Sequence, residues 1–228
     1  MSLLVEAFEN LPKAKPTDDL DLWEAGAQEA FLEFYQLVKE RYSEGTLQRL
    51  LLSSGDATAR QAAALALGSQ GTMASNAILA GVLKNDPDEG VRIWVVDSLW
   101  EIWFRGNSLQ EAKELRIAMG LPESMQQLAA LNDLIAEYPE FAEAYNQRAI
   151  LQYRRGQHGK AVADCEMAMR LNPFHFGAAS GLGQCYLRMN KPHAALRAFA
   201  HALDLNPFLV DLREMVETLR NAIGEKGS

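Results

Sequence analysis

The second half of the chain places small, apolar and turn-forming residues at positions that recur every thirty-four residues. The recurring small residues are Ala149 and Gly183, Ala161 and Ala195, and Ala168 and Ala202. Gly156 and Asn190 recur at a turn position, where a left-handed backbone is favourable for glycine and asparagine. Pro173 and Pro207 recur where a helix would end. The pattern predicts two units, 142–175 and 176–209, each made of two helices that pack closely at the small residues.

These units resemble the tetratricopeptide repeat (TPR), and the stretch "AEAYNQRAILQYRRGQHGKAVADCEMAMRLNP" matches its pattern from end to end. Counting back one period from Pro173 reaches Pro139, with Leu131 and Leu134 at packing positions, and this predicts a divergent third copy at 108–141. After the last proline, apolar residues at spacings of three and four predict a helix that caps the array. They are Leu212, Met215, Val216, Leu219 and Ile223.

The first half carries a different helical repeat. Residues 56–68 and 88–103 align with an offset of thirty-two, which places Arg60 on Arg92, and each segment follows another helical stretch. An acidic turn followed by a small or apolar residue and arginine resembles the second helix of a HEAT repeat. We therefore expect HEAT-like repeats at 45–107.

The residues before these repeats form our third predicted segment, 1–44. Within it, apolar spacing from Trp23 to Tyr42 predicts a helix that caps the front of the repeats. Residues 1–19, with Pro12 and Pro16, predict a loosely held lead segment. The apolar helix 91–104 is expected in the core, at the junction with the TPR segment 108–228.

The expected fold class is all-α: an α-α superhelix, or solenoid, of HEAT-like and then TPR helical pairs with a C-terminal capping helix. This order of modules resembles bacterial proteins that join HEAT and tetratricopeptide repeats. The resemblance covers about residues 45–210 and implies no reaction. It implies instead a curved stack whose first helices line a concave side that holds a peptide or protein segment.

Composition and charge narrow the classes of partner. The net charge of −8 lies mostly in residues 1–107, which carry 9 basic and 16 acidic side chains. An acidic chain is a poor candidate for nucleic acid, which is bound through many phosphate contacts. The apolar runs are too short for a membrane helix, and the first residues lack the pattern of a signal peptide. We therefore expect a cytoplasmic protein that binds neither nucleic acid nor membrane.

No motif in the sequence indicates chemistry. The four histidines lack the i, i+4 spacing of a helical metal pair, so we expect each to be solvated or hydrogen bonded. Cys165 and Cys185 fall inside helical patterns, and we expect them to be reduced and buried. "GLGQC" at 181–185 lacks the lysine and the preceding strand of a phosphate loop. The sequence predicts no enzyme, no cofactor and no metal.

The resemblance assigns the concave side to the first helix of each TPR pair. The corresponding residues are Asn146, Ile150, Tyr153, Arg154, Ser180, Gln184, Leu187 and Arg188. The alternative for each of them is an ordinary solvated position. Amide groups can bind a peptide backbone, and arginines can bind carboxylates with two hydrogen bonds.

Some TPR proteins hold the acidic C-terminus of a heat-shock chaperone with lysines and asparagines, whereas this chain departs from that set. The corresponding positions hold Ala112, Arg116, Asn146, Gln147, Ser180 and Gly181. The partner expected is therefore another protein or peptide segment, acidic or mixed in charge.

The function predicted is a non-catalytic scaffold or adaptor that binds its partner in the concave TPR groove. One alternative is a homo-oligomer that assembles through its repeat surfaces, with Phe174, Phe176 and Phe208 as contacts if they are exposed. Another is an enzyme accessory subunit. The sequence does not identify the partner, the process, the oligomeric state or the surface used.

Overall fold

A computed structural model describes residues 2–12 and 20–224, with the side chains of 20–26 excepted, and there every regular element is a helix. The α-helices are α1 (Leu3–Glu9), α2 (Leu20–Arg41), α3 (Glu44–Ser53), α4 (Ala57–Gln70), α5 (Asn76–Asn85), α6 (Glu89–Arg105), α7 (Leu109–Gly120), α8 (Ser124–Glu137), α9 (Ala142–Arg154), α10 (His158–Leu171), α11 (Phe176–Arg188), α12 (Pro192–Leu205) and α13 (Val210–Ala222). A 3-10 turn, Met73–Ser75, precedes α5. The all-α prediction is confirmed.

The chain divides into two compact units, Met1–Ile102 and Trp103–Ser228, and the division falls inside α6. Among the residues described, no helix is both long enough and apolar enough to cross a membrane. The predicted front helix corresponds to α2, although the side chain of Trp23 lies outside the residues described.

The start of the chain corrects one prediction. Residues 2–12 are not loosely held, because α1 packs against α2 and α4 and buries Leu4 and Val5. Phe8 meets Phe34 and Trp94 edge to face, at centroid distances of 6.5 and 5.7 Å. The prediction gave Pro12 and Pro16 more weight than the helical spacing of the apolar residues at 3–9. Pro16 and the other residues of 13–19 lie outside the residues described.

The two HEAT-like pairs, α3 with α4 and α5 with α6, repeat their polar contacts at the predicted offset. Arg60 donates to the carbonyl of Ser54 at 3.0 Å, and Arg92 donates to the carbonyl of Asp86 at 2.8 Å. Arg60 also binds the carboxylate of Asp86 through Nε and Nη2, at 2.8 and 3.0 Å. This bidentate pair couples the first repeat to the second.

Asp56 and Asp88 stand at equivalent places before α4 and α6. Asp56 accepts a hydrogen bond from the N–H of Thr58, and Asp88 accepts one from the N–H of Val91. The amide of Gln61 and then this N–H hold the pKa of Asp88 below its ordinary value. Each carboxylate thereby satisfies an N–H group that the first helical turn leaves without an intrahelical partner.

Helix α4 is the tightly packed centre of the first unit. Its alanines and leucines are buried along most of the helix, from Ala62 to Leu67. The hydroxyl of Ser98 donates to the carbonyl of Ala64 at 2.7 Å, which is possible because α6 approaches α4 closely at Gly68. The predicted core position of α6 is confirmed for Val91, Val95, Leu99 and Ile102, whereas Ile93 is exposed.

The second unit contains the three predicted helical pairs, α7 with α8, α9 with α10 and α11 with α12, followed by α13. Gly156 and Asn190 both adopt the left-handed backbone, at φ of 74° and 56°. The predicted helix ends are also equivalent, because Asn172 and Asn206 share nearly the same backbone angles as C-caps. Helix α13 buries Leu212 and Val216 against α12, as expected of a cap.

Candidate functional site

Helices α9 and α11 bring together the residues predicted to bind a partner, because each is the first helix of its pair and the two contact one another. Arg154 and Arg188 are exposed and occupy equivalent positions, one period apart. Ile150 is 36% exposed, one helical turn before Arg154. We call the surface formed by these residues and their half-buried neighbours Tyr153, Ser180, Gln184 and Leu187 the first-helix face.

Two half-buried members of this face are fixed by neighbouring residues. The ring of Tyr153 packs against His158 at a centroid distance of 5.3 Å, and Gln184 donates to the sulfur of Met215 at 3.5 Å. These contacts restrict the rotamers of the side chains that lie beside the arginines. Because these side chains are already restricted, they lose less conformational entropy on binding a ligand than freely rotating side chains would.

Asn146 departs from the prediction. Its side chain is only 3% exposed, and its amide donates to Glu143 Oε1 at 3.1 Å. Sequence alignment places Asn146 with Ser180, but here the amide belongs to a buried network within the unit. We therefore exclude Asn146 from the residues available to a partner.

The network is centred on Glu143, which the sequence analysis did not single out. Gln147 donates to Oε1 at 2.6 Å, and the imidazole Nε2 of His175 lies 2.8 Å from Oε2. His175 Nδ1 accepts from the N–H of Ala178 at 3.1 Å and so caps α11. Since Nδ1 accepts, the ring proton is on Nε2 and is donated to Glu143. The prediction of a hydrogen-bonded histidine is confirmed at His175.

The arginines of the repeats differ in whether their positive charge is paired inside the fold or exposed to a partner. Arg148 donates through Nε and Nη2 to Asp164, at 2.7 Å each, and the bond to this carboxylate raises the pKa of Arg148. Arg155 donates to Ser124 Oγ at 2.9 Å. The positive charge of Arg148 is therefore neutralised inside the fold, while Arg154 and Arg188 remain exposed.

The divergent pair adds exposed residues in the same register. Leu109, Arg116 and Met119 lie on α7, one period before Glu143, Ile150 and Tyr153. The sequence analysis had named only Arg116 among them. Counting back one period from Tyr153 would have identified Met119, whereas Leu109 corresponds to the buried Glu143 and to no predicted site residue.

Histidine, cysteine and acidic side chains do not gather into a metal site in the residues described. No group of three or more His, Cys, Asp or Glu side chains there could hold a metal ion. Cys165 and Cys185 are buried as predicted, and His193 and His201 are exposed. A cleft of ≈ 590 Å³ lies between α3 and α5, lined mainly by apolar residues such as Leu52 and Ile78. Two of its four polar lining residues, Arg60 and Asp86, bind each other.

Comparison with known families supports both repeat assignments. Residues 29–100 match HEAT repeats, and residues 178–208 match the tetratricopeptide repeat. Residues 29–100 thus carry HEAT repeats, and residues 178–208 carry a tetratricopeptide repeat. The HEAT match begins inside α2, before the first HEAT-like pair that we predicted.

Curated relatives resemble the chain over part of their length. A TPR repeat-containing protein of Rhizobium etli is 33% identical over 89 residues, which are 39% of this chain and 44% of the relative. Superkiller complex protein 3 of Homo sapiens is 38% identical over 64 residues, 28% of this chain and 4% of the relative. The chain thus spans less than half the length of either relative.

Solved structures of TPR proteins are also similar. One is the first TPR of Spaghetti (RPAP3) bound to an HSP90 peptide, with a TM-score of 0.47 and 17% identity, covering 51% of this chain and 92% of that one. Another is a thermophilic TPR protein of Thermus thermophilus, with a TM-score of 0.39 and 21% identity. The match covers 88% of this chain and 94% of that protein.

Proposed function

We propose that this chain is a non-catalytic scaffold whose first-helix face binds an acidic segment of a partner protein. The observation that carries the proposal is the pairing of Arg154 and Arg188, exposed at equivalent positions on two contacting helices. Guanidinium groups bind carboxylates with two parallel hydrogen bonds, which lysine cannot do. Ile150 and the half-buried Tyr153 and Leu187 add apolar surface beside them.

The spacing of the arginines suggests which acidic segments fit. Packed helices lie roughly 8–10 Å apart. A peptide in the polyproline-II conformation advances about 3.1 Å per residue and returns to the same side every three residues. Two carboxylates about three residues apart would therefore lie on one side of the peptide, about 9 Å apart, and would meet one arginine each. Contiguous acidic runs would place at least one carboxylate in a poorer position.

The alternative of self-assembly through phenylalanines has less support. Phe176 is buried, packing on Trp103 at 5.0 Å, and Phe174 is half-buried. Phe208 is 42% exposed. One exposed ring is a small patch compared with the several hundred Å² that mark interaction surfaces. A homo-oligomer therefore ranks behind the binding of a separate partner.

Fluorescence polarisation with short synthetic peptides tests the proposal. Each labelled peptide carries two glutamates and one leucine, and the set varies only the separation of the glutamates. We expect the tightest binding near a separation of three and weaker binding in high salt, because exposed charges are screened. The Arg154→Glu/Arg188→Glu variant should bind at least tenfold more weakly, since like charges then face each other.

The matched control reverses two exposed arginines on second helices, Arg170 and Arg197. The Arg170→Glu/Arg197→Glu variant has the same net charge as the test variant and should bind as the unaltered chain does. Equal losses in both variants would mean that only the net charge matters. Unchanged binding by the test variant would exclude the first-helix face.

A further inference from the structure

Cys165 and Cys185 lie together in a buried cluster that contributes none of its buried residues to the proposed binding, although Tyr153 packs against it. Cys165 is on α10 and Cys185 is on α11, and the two side chains are 2% and 1% exposed. The other buried members of the cluster are Ala149, Ala161, Leu182 and Ala198. The thiols are therefore the polar groups of an otherwise apolar contact between one repeat and the next.

The position of Gly181 indicates the region that both sulfur atoms face. A methyl group placed on Gly181 would lie 3.4 Å from Cys165 Sγ, so this thiol lies over the glycine. Gly181 is four residues before Cys185 on the same helix, and side chains of a helix lean toward its N-terminus. The Cys185 thiol therefore leans toward the place that the Cys165 thiol occupies, and the missing side chain leaves space there.

We propose that Cys165 and Cys185 form an internal disulfide between α10 and α11 when the folded chain meets a low-molecular-mass disulfide. A neutral product suits the site, because the surrounding side chains are apolar and an uncompensated thiolate or thiolate-bound metal would leave charge buried there. The proposal stands apart from peptide binding, since neither cysteine is on the exposed surface.

The exchange takes two steps. The Cys185 thiolate attacks one sulfur of the small disulfide, which forms a mixed disulfide and releases one small thiolate. Cys165 loses its proton and attacks the Cys185 sulfur, which forms the internal bond and releases the second small thiol. The two cysteines are oxidised, and the small disulfide is reduced to two thiols.

The order of attack follows from the thiols' surroundings. The hydrogen bond from Cys165 lowers the pKa of Cys185, whereas that interaction and then burial raise the pKa of Cys165. Cys185 is therefore the better first nucleophile. Because both thiols are buried, the reaction requires local opening of the helices and should be slow.

Oxidised glutathione is the probe for this proposal. The folded chain is incubated with it, remaining thiols are alkylated, and the digest is analysed by mass spectrometry. We expect one linked fragment pair joining Cys165 to Cys185 within a monomer, and loss of both alkylation sites. The oxidised chain should also melt at a higher temperature, because the bond restricts the unfolded chain.

Single variants provide the control. Cys165→Ser and Cys185→Ser should each show no internal bond, and Cys165→Ser should accumulate the glutathione adduct of Cys185. Recovery of two alkylated cysteines from the folded wild-type chain would overturn the proposal. So would a disulfide that forms only in guanidinium, or an oxidised chain that melts below the reduced one, because the folded helices would then not accommodate the bond.

Discussion

His175 joins two repeats by using both ring nitrogens. Nδ1 caps α11 and Nε2–H binds Glu143 on α9, while the indole of Trp103 stacks on the ring at 4.4 Å and 27°. The Glu143 carboxylate also receives hydrogen bonds from Asn146 and Gln147. Three donors thus compensate a fully buried negative charge, as a buried carboxylate requires.

Removing the acceptor at the centre of this network should destabilise the second unit. Glu143→Ala leaves the donors of His175, Asn146 and Gln147 without their acceptor, and each buried unsatisfied donor costs about 1–3 kcal/mol. We therefore expect a loss of about 3–5 kcal/mol in the free energy of unfolding. Glu143→Gln keeps one acceptor oxygen and should lose less, about 1–3 kcal/mol. Guanidinium unfolding followed by circular dichroism measures both changes.

Glu140→Gln is the control, because Glu140 is exposed three residues earlier and its removal should change the free energy by less than about 0.5 kcal/mol. If Glu143→Ala were as stable as this control, the network would contribute no net stability. The rank order of the three variants therefore tests the buried network rather than the charge alone.

At the scale of helices, the close approach of α11 to α12 depends on Gly183. A methyl group at Gly183 would overlap the ring of Phe199, which is fully buried. Real carbon atoms do not approach so closely, so the ring or a helix would have to shift. The small residue that recurs at this position is thus required by packing.

Gly183→Ala should lower the free energy of unfolding by about 1–3 kcal/mol through overpacking, despite the better helix propensity of alanine. Gly159→Ala is the matched control, because Gly159 also lies in a helix and nothing is within 4 Å of the added methyl group. That variant should be unchanged or stabilised by up to about 1 kcal/mol. Thermal unfolding distinguishes the two, and equal melting temperatures would contradict the packing explanation.

The repeat period explains why some elements were predictable from sequence and others were not. Helices α9 to α12 follow from small residues and prolines one period apart, and the equivalence of Arg60 and Arg92 follows from the second offset. Helix α13 follows instead from apolar residues at spacings of three and four. Helix α1 has no second copy to compare with. Asn146 shows the same limit within the candidate site. The period correctly aligned it with Ser180, but its hydrogen-bond partner Glu143 aligns with Gly177 in the next repeat. Because the carboxylate does not recur, the sequence pattern did not predict the buried network.

At the scale of the whole molecule, two units with separate cores carry different charge. Residues 1–107 hold most of the negative charge, while residues 142–207 carry 8 basic and 4 acidic side chains. An acidic partner segment, as we propose, would therefore be attracted to residues 142–207 and repelled by residues 1–107. This asymmetry would raise the rate of association more than the strength of the final contacts.

The capping helix determines whether the second unit ends in a polar surface. Its outer residues are exposed and mostly polar, including Asp211, Arg213, Glu214 and Glu217, while Leu212 and Val216 cover the core beside Phe199. A chain that ends after Phe208 would expose that apolar surface, and repeat arrays without a cap lose solubility. We expect its mass by light scattering to rise with concentration.

Asp211→Asn/Glu217→Gln is the matched control for this truncation, since it alters only the exposed side of α13 and should leave the mass as in the full chain. A truncated chain that remained folded and kept the mass of the full chain would contradict the capping role. Self-association of the full chain at the same concentration would instead favour the homo-oligomer. In that case Phe208→Ser, which leaves α13 in place, would show whether the exposed ring mediates the contact.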